Sequence, residues 1–256
     1  MISSVTVFCG SSDVVDAKYF AAASELGQKL ARRGWGLVYG GGSVGLMGAL
    51  SRSVLEGGGR VTGVIPRALL DLGVGETQVS ELVVTDGLRD RKAIMDERGD
   101  AFVALPGGIG TLEEVLEALT LKQLGYHAKP IAVLDLDGFF DPLWTQFQRG
   151  VDEGFIKSEF LDLWYPAADV DALLRYLDSY VPHGYGPKWT RTAPDRRPER
   201  GPHCRTLRAG NRSRAGRRRK PSTADRPSSS SRGSPSAERM GDTGSRSCLG
   251  SAGLHP

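Results

Sequence analysis

The sequence predicts an α/β protein built on a doubly wound parallel sheet with helices on both faces. Six apolar runs of strand length alternate with longer segments of helical periodicity, which is typical of this class. The runs are continuously apolar, as expected for strands that are buried on both faces of a parallel sheet. Glycine-rich segments follow the first, second and fifth runs, where a ligand binds in such folds.

The elements follow one another along the first 180 residues. The predicted strands are SVTVFC (4–9), GLVYG (36–40), RVTGVI (60–65), ELVVT (81–85), AFVAL (101–105) and PIAVLDL (130–136). The predicted helices are 15–33, 44–56, 88–98, 112–124, 139–153 and 170–180. Each run of five to seven residues is too short for a helix, and each intervening segment repeats its apolar residues at helical spacing.

Composition divides the chain near Pro187. Residues 1–186 have the composition of a folded domain, whereas 187–256 are rich in Arg, Ser, Pro and Gly and almost free of apolar clusters, which predicts disorder. The two parts carry formal charges of −9 and +12, so the overall +3 describes neither. We interpret the basic tail as an aberrant, frame-shifted extension rather than a nucleic-acid-binding arm, although its RAGRRRK run would suit such an arm.

The sequence favours a cytoplasmic protein without a membrane segment. No run of 18 apolar residues occurs, and the N-terminus lacks the basic start and apolar stretch of a signal peptide. Cys9 is alone in the first 186 residues, which indicates neither a disulfide framework nor a zinc site. His127 and His183 are isolated, so we expect no metal.

The first glycine loop matches G-x-G-x-x-G at Gly40, Gly42 and Gly45, between a predicted strand and a helix. A nicotinamide site would also place an acidic residue after the next strand to hold the ribose, but the chain has Ile65-Pro66-Arg67 there. The loop therefore predicts a site near a phosphate or nucleotide, without NAD. The alternative is a tight turn that needs glycine only for packing.

The second glycine loop, LPGGIGTLEE, is more specific. Gly107, Gly108 and Gly110 expose backbone amides just before a helix, and Thr111 adds a hydroxyl where that helix is expected to begin. Such a helix N-terminus suits a phosphate. Glu114 is open to two interpretations: it either performs catalysis or completes a capping box with Thr111.

The helix 88–98 carries an arginine within an apolar arc. Helical spacing places three apolar residues on one face: Leu88, Ile94 and Met95. Arg91 falls on the same face, where it needs an anion or a route to solvent. Lys92 lies at the edge of this face, whereas Arg89 and Asp96 are expected on the solvated surface. Arg91 therefore pairs with a phosphate or with Glu114, or else forms a purely structural ion pair.

Four motifs together resemble one family. C-G-S-S at 9–12, G-G-G-x-x-G-L-M-G at 40–48, R-K-x-x-M at 91–95 and P-G-G-x-G-T-x-x-E at 106–114 occur in the order found in the "lonely guy" family. The resemblance covers about residues 1–186. It implies a Rossmann-like homodimer that hydrolyses the N-glycosidic bond of AMP or N6-prenylated AMP, without a cofactor, to free base and ribose 5-phosphate.

The resemblance also implies roles for individual residues. Arg91 and Glu114 match the catalytic pair, with Glu113 and Glu117 as second candidates. The residues matching the family's phosphate loop are Gly107, Gly108, Gly110 and Thr111. Further predicted substrate-binding residues are Gly10, Ser11, Gly41, Gly42, Lys92 and Met95. A carboxylate beside the ribose suits this reaction, because glycosidic cleavage develops positive charge on the sugar.

Two other functions fit parts of the sequence. A non-hydrolytic carrier of a nucleotide or of the molybdenum cofactor would use similar glycine loops, but it has no need of Glu114 beside a ribose. A pyridoxal-phosphate-dependent lysine decarboxylase, the older label of this family, would need a Schiff-base lysine, and no lysine stands in a context that indicates one.

Overall fold

The computed structural model describes residues 1–182 and Gly184, and these form seven parallel strands in one sheet. The sheet order is β4-β3-β2-β1-β5-β6-β7. The strands are β1 (Ser4–Phe8), β2 (Gly36–Tyr39), β3 (Val61–Pro66), β4 (Glu81–Thr85), β5 (Ala101–Ala104), β6 (Ile131–Leu134) and β7 (Tyr165–Ala167). The predicted parallel sheet is confirmed.

Seven α-helices lie within the described residues. They are α1 (Ala17–Arg32), α2 (Gly45–Glu56), α3 (Arg67–Asp71), α4 (Leu88–Arg98), α5 (Ile109–Gln123), α6 (Asp141–Asp152) and α7 (Val170–Ser179). Short 3₁₀ turns occupy Leu136–Gly138 and Ser158–Leu163. Among these described helices, none combines the length and the apolar character that crossing a membrane requires.

The core has two halves, one on each face of the sheet. On one face α1, α2 and α7 pack against the strands, and on the other α4 and α5 do so together with aromatic residues of α6. Of the aromatic residues in and just before α6, Phe140 is buried, and Trp144 and Phe147 pack against Trp164, whereas Phe139 is 39% exposed. Helices on both faces confirm the doubly wound arrangement.

Three element predictions need correction. Strand β7 and helix α3 were not predicted, because three and five residues are too short to show periodicity. Helix α5 begins at Ile109 rather than at 112, since its first turn consists of the glycine-rich residues that the pattern assigned to the loop. The predicted tail 187–256 and its boundary lie outside the described residues.

The sheet topology determines where a ligand can bind. The chain runs outward from β1 through β2 and β3 to β4, then returns by α4 to β5 on the other side of β1. The strand order therefore reverses between β1 and β5, and a crevice opens at the carboxyl ends of the strands at such a reversal. The loops after β1, β2 and β5, which are the three glycine-rich segments, border this point.

Candidate active site

The loop after β1 lies between the two glycine loops. The amide of Gly10 donates a hydrogen bond to the carbonyl of Pro106 (3.2 Å), and the carbonyl of Gly10 accepts one from the amide of Leu46 (3.0 Å). A Cβ atom on Gly10 would lie 3.3 Å from the Cα of Gly107. The next residue, Ser11, is exposed. The predicted residues Gly10 and Ser11 are thus brought to the junction of the loops.

The loop after β2 is shaped largely by packing. Gly45 has φ +59°, and a Cβ there would lie 2.5 Å from the carbonyl carbon of Ser11. Its amide, the first of α2, donates to the Oδ1 of Asp13 (2.7 Å). Gly41 has φ +71°, which favours glycine. The α2 N-terminus therefore already holds a carboxylate of this chain, and the packing interpretation of these glycines is supported at Gly41 and Gly45.

The loop after β5 has a different character. Gly108 is the N-cap of α5 and offers no side-chain cap, and a Cβ on Gly108 or Gly110 would meet nothing within 4 Å. Within residues 1–182, the amides of Ile109, Gly110 and Thr111 have no protein acceptor. Free amides and the helix dipole favour an anion at this end.

Thr111 and Glu114 do not form the capping box that their spacing allowed. Thr111 is the third residue of α5 and is buried. Its side chain lies against Gly107: a Cβ atom built on Gly107 would be 2.7 Å from the Cβ of Thr111. Glu114 lies in the next turn and pairs with Arg91 instead. The capping interpretation of Glu114 is therefore wrong, because the N-cap position falls three residues earlier than predicted.

Arg91 and Glu114 form a nearly buried ion pair between α4 and α5. The Nη1 atom of Arg91 lies 3.2 Å from the Oε1 atom of Glu114, and the two side chains are 13% and 10% exposed. The Nε atom of Arg91 donates to the carbonyl of Val64 in β3 (3.0 Å). A backbone acceptor on one side and a carboxylate on the other hold the guanidinium in one position.

The environment of Glu114 acts on its protonation in two directions. Burial raises the pKa of the Glu114 carboxyl above its ordinary value, and the positive charge of Arg91 opposes that rise. Glu113 and Glu117 raise the pKa further, whereas Lys92 lowers it. A raised pKa makes this carboxylate a stronger base than that of an exposed glutamate, which suits a group that orients or deprotonates water.

Cys9 lies close to this pair without the properties of a nucleophile. It is buried at the end of β1, and its thiol pKa is raised, first by burial and then by the negative charge of Glu114. Arg91 opposes the rise. A thiol with a raised pKa stays protonated, so Cys9 acts as a small apolar residue beneath the site.

Two predicted binding residues of α4 face other groups. The ammonium of Lys92 pairs with Glu113 and, at 2.6 Å, with the Oε2 of Glu117, so these three side chains form a surface network beside Glu114. Met95 is 1% exposed and packs in the core. Met95 therefore offers almost no surface to a ligand, whereas Lys92 lines a cavity next to Glu114.

The predicted helical face of α4 is wrong at two positions. Leu88 was expected on the apolar face, but it is 56% exposed because it stands in the first turn, beyond the edge of the core. Asp96 was expected at the solvated surface, but it is half-buried, with Oδ1 3.7 Å from the Nζ of Lys129. Arg89 is exposed, as expected.

A cavity of about 190 Å³ adjoins Glu114 between α4 and α5. Its lining residues are Phe8, Arg89, Lys92, Ala93, Asp96, Phe102, Glu114, Glu117, Ala118 and Leu121. Phe8 and Phe102 stack with ring centroids 5.9 Å apart and give the cavity an apolar floor. The sequence did not indicate Phe8 and Phe102 as part of a site, because apolar residues in a strand are expected to belong to the core.

A buried lysine elsewhere in the fold does not belong to this site. Lys122 is 3% exposed, its amino group donates to the carbonyl of Leu163 (2.8 Å), and burial lowers its pKa to about 8. It stands in the last turn of α5, at the opposite edge of the sheet from the glycine loops. In the described part of the chain, no group of three His, Cys, Asp or Glu residues could hold a metal ion.

The fold and site together define a class: a Rossmann-like α/β protein with free amides at a helix N-terminus and a nearly buried arginine–glutamate pair one turn away. The family model described as "Possible lysine decarboxylase" matches residues 47–177. A probable cytokinin riboside 5′-monophosphate phosphoribohydrolase of Oryza sativa subsp. japonica is 47% identical over 177 residues, which are 69% of this chain and 79% of the relative. A cytokinin riboside 5′-monophosphate phosphoribohydrolase of Arabidopsis thaliana is 44% identical over 178 residues, 70% of this chain and 84% of the relative. The chain belongs to the family that its motifs indicated, the "lonely guy" family.

Two of the solved structures of similar fold are of proteins named for carrying or binding the molybdenum cofactor. The molybdenum cofactor carrier protein of Chlamydomonas reinhardtii is 28% identical, with a TM-score of 0.53 over 70% of this chain and 97% of that one. The molybdenum cofactor binding protein of Rippkaea orientalis is 23% identical, with a TM-score of 0.55 over 70% and 97%. The second likeness concerns the fold alone.

Proposed function

We propose that this protein hydrolyses the N-glycosidic bond of purine riboside 5′-monophosphates, AMP or N6-prenylated AMP, to free base and ribose 5-phosphate. The observation that carries the proposal is the position of Glu114, paired with Arg91 and one helical turn beyond the free amides of α5. Water adds to C1′ of the ribose, the C1′–N9 bond breaks, and the proton lost by the water balances the one taken up by the leaving base.

In this proposal the phosphate binds first and positions the sugar. The amides of Ile109, Gly110 and Thr111, with the Thr111 hydroxyl, receive the phosphate oxygens. Binding energy from this remote group holds C1′ against Glu114, so that it lowers the barrier rather than only improving affinity. A riboside without its phosphate would bind to the same pocket without this constraint.

Glu114 then acts on the reacting atoms. As a carboxylate it stabilises the positive charge that develops on the ribose ring, and it orients or deprotonates the attacking water. Arg91 keeps Glu114 ionised in a nearly buried position and fixes its geometry, or it contacts the phosphate directly. In this proposal Gly10, Ser11, Gly41 and Gly42 border the nucleotide, and Lys92 lines the cavity beside Glu114.

The cavity beside Glu114 supports a substrate with an apolar substituent. Its floor of Phe8 and Phe102 is apolar, and its volume of about 190 Å³ has room for a small hydrocarbon group. We assign this cavity to the base and its N6 substituent. The resemblance to the family supports a homodimer that acts without a cofactor, and the composition of the first 186 residues supports a place in the cytoplasm.

A carrier of a nucleotide or of the molybdenum cofactor is the second candidate, favoured by the likeness to the Chlamydomonas reinhardtii carrier. Two observations weigh against it. The curated relatives are far more similar in sequence, and a carrier has no use for a carboxylate whose pKa is raised beside the anion site.

One incubation distinguishes the two candidates. The full chain is mixed in turn with AMP, isopentenyladenosine monophosphate and the unphosphorylated riboside, and the products are separated by chromatography. Hydrolysis predicts free base and ribose 5-phosphate in equal amounts from a monophosphate, and little base from the riboside. Retention of intact nucleotide without base release from any monophosphate contradicts the proposed reaction and favours the carrier.

A further inference from the structure

Gly40, the first glycine of the G-x-G-x-x-G pattern, faces a side chain rather than open space. It follows β2 directly, and a Cβ atom built on it would overlap the Nη2 atom of Arg91 and lie 3.0 Å from the guanidinium carbon. Its φ is not among the positive values, so the backbone itself does not require glycine here. The requirement comes from the space that the guanidinium occupies.

The three nitrogens of that guanidinium have three different surroundings. Nε donates to the carbonyl of Val64, Nη1 faces Glu114 at 3.2 Å, and Nη2 lies against Gly40. Within the described residues Nη2 has no protein acceptor. The fork of an arginine is planar and rigid, so moving Nη2 also moves Nη1 away from Glu114.

We propose that Gly40 is a positioning residue, whose missing side chain leaves the space in which Arg91 lies and thereby sets the geometry of the Arg91–Glu114 pair. This inference rests on the proposed function for its kinetic consequences. It replaces the phosphate-binding interpretation of Gly40, because at this glycine the close approach is made by a guanidinium of the same chain.

The substitution Gly40→Ala tests this with little disturbance elsewhere. The two side chains that an alanine would meet are the tip of Arg91 and the Sδ of Met47 at 3.3 Å, and both are flexible ends. The matched control is Gly150→Ala in α6, where a Cβ would lie 2.7 Å from the Cδ1 of Ile156, again the end of a flexible side chain. Gly150 packs far from the glycine loops.

A double-mutant cycle separates positioning from general disturbance. Gly40→Ala is expected to lower kcat on isopentenyladenosine monophosphate by about 10²-fold, since small misplacements of a catalytic group have effects of that size. In an Arg91→Ala background, Gly40→Ala is expected to cause no further loss, and Gly150→Ala should leave kcat unchanged in either background. An equal loss from Gly40→Ala with and without Arg91 overturns the proposal.

The titration of Glu114 gives a second readout that does not depend on turnover. The groups that face this carboxyl are Arg91 and Lys92 from α4, Glu113 and Glu117 from α5, and Cys9 after β1. In Gly40→Ala the guanidinium is displaced, so its positive charge offsets less of the rise that burial causes in the pKa of Glu114. The pKa of Glu114 should therefore be higher in this variant than in the native chain. Carbon-13 spectra of the labelled glutamate carboxyls, assigned with Glu114→Gln, measure this; an unchanged pKa overturns the proposal.

The outcomes also distinguish this inference from the proposed function. If the native chain releases no base, the hydrolase is wrong, and the titration still tests Gly40. If the native chain is active and Gly40→Ala is equally active, only the inference is wrong. If Gly40→Ala does not fold, the double variant with Arg91→Ala should fold again, because the overlapping atoms are gone; failure of both to fold contradicts the proposal.

Discussion

The Nη1 atom of Arg91 lies 3.2 Å from the Oε1 atom of Glu114 in a pair that is almost closed to solvent. The two residues come from α4 and α5, which lie on the same face of the sheet, and the glycine loop after β5 leads directly into α5. A purely structural ion pair would have no need to lie beside the free amides of α5. Its position one turn after the free amides places a carboxylate where a bound sugar phosphate would present its sugar.

The substitution Glu114→Gln tests the role of this carboxylate. The amide has nearly the same shape but cannot carry the charge, so kcat should fall by about 10²- to 10⁴-fold with a small change in KM. Steady-state release of base measures the loss. Glu113→Gln on the same helix is the matched comparison, because its carboxylate is held by Lys92 at the surface. A greater loss from Glu113→Gln than from Glu114→Gln would move the catalytic role to Glu113.

The pH dependence of kcat follows from the ionisation of Glu114. The active form is the carboxylate, so activity is lost as the pH falls through the pKa of Glu114. Burial raises this pKa above the ordinary 4.5, and the acid limb should therefore lie at a higher pH than for an exposed glutamate. Arg91→Ala removes the charge that opposes the rise and should move the limb higher still. A limb at or below the ordinary value contradicts this assignment.

The open N-terminus of α5 gives a prediction about phosphate binding. In Gly108→Asp, the new carboxylate would occupy the N-cap, bond to the free amides and repel the phosphate, so KM for the monophosphate should rise by at least about tenfold. The free energy of unfolding should not fall, since aspartate is a good N-cap. Gly108→Asn is the control, because asparagine also caps but carries no charge. Equal effects of both substitutions on KM would contradict an electrostatic origin.

The cavity beside Glu114 gives a prediction about specificity. Ala93 lines it from α4 and is exposed, so Ala93→Phe should narrow the cavity without filling the core. We expect kcat/KM for isopentenyladenosine monophosphate to fall about tenfold more than kcat/KM for AMP. Ala21→Phe, on an exposed position of α1 on the other face of the sheet, should change neither value. If Ala93→Phe lowered kcat/KM equally for both substrates, the cavity would be excluded as the site of the N6 substituent.

The tail gives a prediction that depends only on composition. A chain that ends at Gly186 should retain its thermal unfolding temperature and its rate of base release, because residues 1–186 carry all four motifs. A fall in either quantity on truncation would show that the basic segment takes part in folding or hydrolysis. Salt-sensitive retention on DNA, lost on truncation, would instead support a nucleic-acid-binding arm.

The sequence predicts the sheet and the major helices because their signals are long. Within the described residues, continuous apolar runs indicated six of the seven strands, and helical spacing indicated six of the seven helices. The exceptions are β7 (Tyr165–Ala167) and α3 (Arg67–Asp71), which are too short to show a repeating pattern of apolar residues. Helix α5 was predicted to begin too late, because the glycines near its start resemble a loop, although Gly108 is the N-cap and Gly110 lies in the first turn.

Less of the site could be predicted than of the fold. Glu114 was one of several partners that the spacing allowed for Arg91. Helix periodicity indicates the face on which a residue lies, but not which residue of a neighbouring helix it meets. The carboxylate of Asp13 on the α2 amide and the carbonyl of Val64 on Arg91 leave no signal in the sequence, since both depend on how the loops meet. The placement of Gly40 under a guanidinium is likewise visible only in three dimensions.

A crystal structure of Glu114→Gln with isopentenyladenosine monophosphate tests the central claim most directly, because the inactive variant should hold the intact substrate. The account predicts the phosphate within hydrogen-bond distance of the amides of Gly110 and Thr111, with the side chain of residue 114 facing C1′ of the ribose. A phosphate bound away from the α5 N-terminus, or a ribose remote from residue 114, would contradict it.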